Sequence, residues 1–415
     1  MSHVPVALLP ETQTLAGTVI FLASYVVFAL GKFPGLKIDR TGAAIIGAIA
    51  MVVFRVVPGH EALRAVDFST IVLLFAMMLV VGGLELSGFF EWIAELVLRH
   101  VKSGMLLPAV ILTCGLLSAF FVNDIVCLVM VPFVLTLTQK LRLPPLPFLL
   151  AVATSSNIGS VATITGNPQN MLIGSYSGIG YREFLFHLAP VAVVGLVLDW
   201  LVLHWLFSRQ LHQVEVQASV IPLPPLNLSH LLKPMLVASG VVVAFLAGVP
   251  PVLAASAGAA ILLISRSRDP RKLYAEIDWG LLVFFVGLFI IVGGAENVGL
   301  VDRLLQFAER WNLHHTAGLT IVTALFSNLV SNVPAVMLLK SLVRNFVDPH
   351  KAWLVLAMAS TLAGNLTITG SVANIIVVET AKPDVHISFW DYFRVGLPIT
   401  IATILFGALW LAFTA

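Results

Sequence analysis

The sequence predicts an all-α polytopic membrane protein, built as an inverted repeat of about ten transmembrane helices plus two re-entrant hairpins. Three observations carry that prediction. The first is composition: 59% of the 415 residues are hydrophobic, only 11% are charged, and mean hydropathy is +1.00, where soluble domains carry about 25% charged residues. The second is a series of apolar runs of roughly 17–25 residues, the length that crosses a bilayer as a helix. The third is an octapeptide that occurs twice inside hydrophobic spans, as Thr163-Ile-Thr-Gly-Asn-Pro-Gln-Asn170 and as Thr367-Ile-Thr-Gly-Ser-Val-Ala-Asn374.

Composition also excludes several classes. A formal charge of +2 gives nucleic acid nothing to hold. Cys114 and Cys127 are too few for a disulfide or metal framework, so neither a metal nor another cofactor is expected. No Walker A pattern and no HExxH occur, which argues against ATP hydrolysis and zincin-type proteolysis on this chain. The stretch Leu15 to Leu30 lacks a basic region before it and reads as a first membrane span, not a cleaved signal.

Taken in order, simple spans fall near 15–31, 41–57 and 68–86. An amphipathic piece, Phe89 to Val101, carries Glu91, Glu95 and Arg99. The apolar run 105–138 is broken by Asn123-Asp124 and has basic residues at both ends (Lys102; Lys140 and Arg142), which favours a re-entrant hairpin. A span over 147–173 is broken between Asn157 and Gln169, and 184–208 closes the first half. Residues 209–229, with Pro222, Pro224 and Pro225, read as a cytoplasmic linker. The order then repeats: spans near 231–247, 251–264 and 279–294, an amphipathic piece from Leu300 to Trp311, a hairpin over 316–342 broken at Ser331-Asn332-Val333-Pro334, a broken span over 352–379, and a last span near 391–413.

The landmarks keep near-constant spacing. Asp67 and Asp278, and Glu85 and Glu296, are each 211 residues apart; the two Thr-Ile-Thr-Gly copies are 204 apart. This is the signature of an internal duplication of 1–208 in 230–415. Five full spans per half turn the second copy upside down. Placing the N-terminus outside puts 15 of the 23 Lys and Arg residues inside, in line with the positive-inside rule. Interrupted spans at matching places in two halves point to a transporter's substrate site, because backbone that leaves the helix at membrane depth must be buried by protein or line a cavity. Packed helix crossings with small residues are the alternative for the same stretches.

The site this arrangement predicts is made of neutral donors and acceptors. The first half supplies Asn123, Asn157, Ser160, Thr163, Thr165, Asn167, Gln169 and Asn170. The second supplies Ser331, Asn332, Asn365, Thr367, Thr369, Ser371 and Asn374. Such a set suits a hydroxylated or oxyanionic solute, or a small hydrated cation. Asp124 is its only carboxylate, and a carboxyl at membrane depth is a candidate proton carrier; capping of the second hairpin helix is the competing role. Asp67 and Asp278 are expected to cap the helices that follow. Glu85 and Glu296 are expected near an interface, Cys127 as a small buried hydrophobe, and His187 and His204 as packing residues.

The segments Ser87-Gly-Phe-Phe-Glu-Trp92, Phe121-Val-Asn-Asp-Ile125 with Pro132, Ser331-Asn-Val-Pro334 and Ile387-Ser-Phe-Trp-Asp-Tyr-Phe-Arg394 carry a family resemblance. Over nearly its whole length the chain resembles the ion transporter superfamily of ArsB arsenite permeases, NhaD-type sodium/proton antiporters and divalent anion/sodium symporters. ArsB-like permeases look most similar. The symporters carry Ser-Asn-Thr at both hairpin tips, whereas here the tips read Val122-Asn123-Asp124 and Ser331-Asn332-Val333. The stretch Gly166-Asn-Pro-Gln-Asn170 is more similar to anion permeases of the same superfamily.

The resemblance implies export of arsenite or antimonite across a bacterial or archaeal cytoplasmic membrane, driven by inward proton movement; Asp124, the carboxylate of the predicted site, is then our candidate for the proton carrier. It also implies a transport domain of hairpins and broken spans that moves against a scaffold, a homodimer contact on the opening spans, and a cytoplasmic ATPase partner. A sodium/proton antiporter or sodium-coupled anion carrier is the alternative within the superfamily, and a passive channel the alternative outside it.

Overall fold

The computed structural model describes residues 10–31, 35–90, 92–93, 96, 103–212, 228–264, 269–303, 306, 315–343 and 346–414. Most of both expected amphipathic pieces, and residues 213–227 of the expected linker, lie outside the described residues. Among those described the chain forms eighteen α-helices, two single 3-10 turns and no strand. They fall into two series of nine. The first is α1 (Glu11–Leu30), α2 (Arg40–Val53), α3 (Gly59–Ala65), α4 (Phe68–Glu85), α5 (Leu106–Phe120), α6 (Asn123–Lys140), α7 (Pro145–Ser160), α8 (Pro168–Ser177) and α9 (Tyr181–His212). The second repeats them as α10 (Leu228–Leu246), α11 (Pro251–Leu263), α12 (Pro270–Ala275), α13 (Trp279–Asn297), α14 (Thr316–Val330), α15 (Asn332–Val343), α16 (Pro349–Ala363), α17 (Val372–Ala381) and α18 (Phe389–Thr414). Helix α9 continues through His212, into the stretch expected to be linker.

Six helices are each long and apolar enough to cross a membrane: α1, α4, α6, α9, α13 and α18. The other helices are shorter or less apolar. Helix α5 has 15 residues, about 22 Å at 1.5 Å per residue, short of the ~30 Å hydrocarbon core. It turns back at Phe121-Val122 into α6. Helix α14 likewise turns at the single residue Ser331 into α15. The broken spans are α7 with α8, interrupted over 161–167, and α16 with α17, interrupted over 364–371. Asp67 and Asp278 do cap: Asp67 accepts from Ser69 N at 3.1 Å and starts α4, and Asp278 accepts from Leu281 N at 2.9 Å and starts α13.

Burial sorts the helices. Leu15, Val19, Leu22 and Val26 make an exposed apolar stripe on α1, and Phe186, Val193, Val197, Leu201 and Trp205 make one on α9. Such stripes at helical spacing are lipid-facing surface. At the other extreme α7 is buried from Pro147 to Ser160. Its hydroxyls satisfy themselves on their own helix: Thr154 donates to Leu150 O at 2.9 Å and Ser160 to Asn157 O at 2.8 Å, which is how hydroxyls are tolerated in an apolar interior.

The two series interlock. Helix α2 packs on α13 of the other series and α11 packs on α4. Each first hairpin leg packs on the broken span of its own series, α5 on α7 and α14 on α16. The short ends cross over, α17 onto α6 and α8 onto α15. Hairpins and broken spans thus surround one centre, closed behind by the pair α9 and α18.

Candidate functional site

The centre is tied together by asparagines. Asn157, at the last turn of α7, uses all four of its hydrogen-bonding positions. Its Nδ2 donates to Asn365 Oδ1 and to Asn374 Oδ1, both at 2.9 Å. Its Oδ1 accepts from Asn123 Nδ2 and from Ser371 Oγ, both at 3.0 Å. One fully buried side chain therefore joins the first hairpin tip to three points of the second broken span.

Each break is stapled in the same way. In the first, Asn170 Nδ2 donates to Ser160 O at 3.1 Å and Thr163 O at 3.0 Å. In the second, Asn374 Nδ2 donates to Gly364 O at 2.7 Å and Thr367 O at 3.0 Å. Acceptors ten and seven residues back are carbonyls left without helical partners where α7 and α16 end, and the amide supplies what the helix no longer does. The repeated octapeptide thus encodes a side-chain clamp on an unwound turn.

The second series mirrors the asparagine hub with Thr361. Its hydroxyl accepts from Asn167 Nδ2 and Gln169 Nε2, both at 3.2 Å. Asn332, with its amide turned to meet donors and acceptors correctly, donates to Ser360 O at 3.0 Å and Gly370 O at 3.1 Å and accepts from Gln169 Nε2 at 3.2 Å. The hairpin tip before it is strained. Ser331 has φ 75° and ψ 160°, a backbone region that is essentially glycine's and costs about 1–3 kcal/mol.

In front of this frame lies a cavity of about 450 Å³. Both hairpin tips line it, through Asn123 and Asp124 and through Ser331, Asn332 and Val333; the broken spans add Pro168, Gln169, Ser371 and Val372. The starts of α6, α15, α8 and α17 therefore meet at one space. Helix N-termini carry partial positive charge and unpaired N–H groups, so the space favours oxygen-rich solutes. Its opposite wall is Asp39, Arg40 and Thr41 at the start of α2 and Asp278 at the start of α13. Asp39 is committed to capping, accepting from Gly42 N at 2.8 Å, and Arg40 donates from Nε to Phe28 O at 3.0 Å. Asp124 sits in the first turn of α6 with no capping bond from its side chain, since Val122 is the N-cap residue, and Asp278 stands in electrostatic range across the cavity.

Of the predicted site residues, Asn123, Gln169, Ser331, Asn332 and Ser371 touch the cavity, as does the predicted proton carrier Asp124. Asn157, Thr163, Thr165, Asn167, Asn170, Asn365, Thr367 and Asn374 form the frame behind it. Thr369 is exposed. Thr361, Arg40 and Asp278 were not in the predicted set. The duplication held the signal for Thr361, which stands 204 residues after Asn157, the same spacing as the octapeptides.

The remaining candidates take other roles. Glu296 pairs with Lys340 at 3.7 Å. Cys127 is buried and donates to Ser156 Oγ at 3.0 Å; among the described residues no cluster of His, Cys, Asp and Glu is arranged to hold a metal ion. His187 packs 5.8 Å from the His350 ring and His204 packs 5.8 Å from Trp200.

A second cleft, of about 780 Å³, occupies the equivalent place in the other series. Ser69, Leu73, Pro250 and Met171 line it where Gly280, Phe284, Asp39 and Ile375 line the first. Neither hairpin tip reaches it. Of these two clefts, the smaller is the one lined by both hairpin tips.

A buried polar centre framed by two broken helices and two hairpins, within a bundle of apolar membrane-spanning helices, is the architecture of a polytopic membrane transporter. Comparison with known proteins places it further. The family model described as citrate transporter matches residues 25–362, and the chain belongs to that family, within the ion transporter superfamily. A silicon efflux transporter of Oryza sativa subsp. japonica is 31% identical, over 97% of this chain and 98% of its own. An uncharacterized transporter of Mycobacterium tuberculosis is 30% identical over 96% and 98%. A Dictyostelium discoideum protein named as a transporter, arsB, is 25% identical over 90% and 87%. Among solved structures, the Alcanivorax borkumensis YdaH transporter, described as having an unusual topology, superposes with a TM-score of 0.57 at 13% identity, over 97% of this chain and 98% of that one; this shows a shared fold.

Proposed function

We propose that this chain exports arsenite or antimonite from the cytoplasm in exchange for protons, with Asp124 carrying the proton. The observation that carries the reading is the cavity lining: neutral amides and hydroxyls at four helix starts, with one uncapped carboxylate on a hairpin tip. Trivalent arsenic in neutral water is uncharged As(OH)3. It offers three hydroxyls to Asn123, Gln169, Asn332 and Ser371, and binding by neutral groups is weak enough to permit release. The rice relative named for silicon efflux fits the same chemistry, since dissolved silicon is Si(OH)4, another uncharged hydroxylated acid. The two series are read as inverted repeats with the N-terminus outside. On that reading the cavity opens to the cytoplasm, as loading by an exporter requires.

The test is arsenite uptake into everted membrane vesicles from cells making the protein. Uptake that rises with an inward-acidic gradient, collapses with an uncoupler and is lost in Asp124→Asn is expected. Arg40 in the cavity wall and the citrate description of the family favour one second reading, a sodium-coupled carboxylate carrier. Citrate uptake that follows sodium, with no arsenite movement, would establish it instead.

A further inference from the structure

We propose that Asp199 is a second proton-binding site of this transporter, set behind the asparagine frame and linked to it through Thr154. The inference rests on the coupled-transport reading above. Asp199 lies in α9 and is fully buried, and neither of its carboxyl oxygens has a hydrogen-bond donor. Thr154 of α7 stands beside it, but the Thr154 hydroxyl hydrogen goes to Leu150 O at 2.9 Å. The Thr154 oxygen can therefore only accept. A carboxylate here would be an unpaired charge in an apolar interior, which is costly, whereas the protonated acid carries its own donor toward Thr154 Oγ1. The arrangement satisfies one protonation state and leaves the other unsatisfied.

Among the described residues no cationic group stands in electrostatic range of Asp199, Arg394 of α18 and Lys351 of α16 included. Cys114 from α5 and Tyr392 from α18 are the titratable groups in electrostatic range, and the Tyr392 hydroxyl also lacks a partner. Helix α7 has no titratable residue. On α16, His350 is held by Glu183 at 3.0 Å near the opposite end of α9, and on α10 Lys233 is held by the Ile264 carbonyl. A bound sodium ion would need several oxygen ligands, whereas a proton needs one acceptor.

The site is wired to the cavity. Thr154 O accepts from Asn365 Nδ2 at 3.2 Å, Asn365 Oδ1 accepts from Asn157 at 2.9 Å, and Asn157 accepts from the tip residue Asn123 at 3.0 Å. Loss of the Asp199 proton changes what Thr154 must do, and through Asn365 it changes the frame that positions the hairpin tip. Intramembrane carboxyls are the usual carriers in proton relays.

The experiment uses the full chain in proteoliposomes with arsenite as the probe, comparing wild type, Asp199→Asn and Asp199→Glu. Infrared difference spectra between acidic and alkaline buffer are expected to show a carboxylic acid band that titrates in wild type, shifts in Asp199→Glu and disappears in Asp199→Asn. Asp199→Asn is expected to keep arsenite-for-arsenite exchange at equal pH and to lose accumulation driven by a pH gradient. Wild-type accumulation in Asp199→Asn, or a band that never titrates, would overturn the proposal and leave a neutral structural acid. So would a band abolished by sodium at constant pH, which would mark a sodium site. If Asp199→Asn does not insert, the wild-type titration and the Asp199→Glu shift still decide. If wild type moves no arsenite, the transport reading fails while the infrared titration still reports on Asp199.

Discussion

The two copies of Thr-Ile-Thr-Gly are identical in sequence and unlike in surroundings. In the first, Thr163 and Thr165 are fully buried: Thr163 donates to Ala119 O on the first hairpin, and Thr165 shares a hydrogen bond of 3.0 Å with the Tyr181 hydroxyl. Asn167 caps α8 by accepting from Asn170 N at 2.8 Å, and Pro168 opens that helix. In the second, Thr367 is half-buried and Thr369 is exposed. Ser371 stands where Asn167 does, and its hydroxyl goes to Asn157 in place of a cap. Phe389, at the start of α18, stands where Tyr181 starts α9 and has no hydroxyl to give. The shared residues build the unwound turn, and the residues that differ decide how tightly each turn is closed. One firm turn and one looser one around a shared hub is an arrangement that can favour one cleft over the other.

Three substitutions probe that difference. The largest effect is expected from Asn157→Ala, which removes the side chain that binds both the first hairpin tip and the second turn. It strips partners from Asn123, Asn365, Asn374 and Ser371, and each buried orphan costs about 1–3 kcal/mol. Transport is expected to vanish and the unfolding temperature in detergent to drop well below wild type; a wild-type melting curve would break the account of the hub. Next, Gly166→Ala is expected to be more damaging than Gly370→Ala. A Cβ at Gly166 meets three backbone atoms of Ser160, whereas at Gly370 it meets the Asn328 side-chain oxygen at 2.7 Å and one backbone atom, the Gly364 carbonyl, at 2.8 Å, a milder clash. Yield of folded protein by size-exclusion chromatography separates the two. The smallest effect is expected from Tyr181→Phe, which gives the first turn the second's partner at a loss of about 1 kcal/mol. A stability unchanged from wild type would mean that Thr165 does not depend on that hydroxyl.

Much of this was legible in the sequence, and the duplication made it so. Equal spacing located both broken spans, both hairpin tips and the paired staples Asn170 and Asn374. What the sequence could not separate was frame from lining. Asn157 and Asn123 look alike as asparagines in apolar runs, but one is saturated by four partners and the other faces the cavity, and only tertiary packing assigns them. Arg40 gave no sign of lining the site, because its approach to the hairpin tips depends on α2 packing against α13 from the other series. Asp199 carried the plainer signal of a lone carboxyl in a long apolar run.

The central claim is that the solute sits between the two hairpin tips. The most direct measurement is anomalous diffraction at the antimony edge from crystals of the protein soaked in antimonite. The account predicts one peak in the smaller cavity, within hydrogen-bonding reach of Asn123, Gln169, Asn332 and Ser371. A peak at Cys114 and Cys127, or in the cleft lined by Ser69 and Met171, would contradict it.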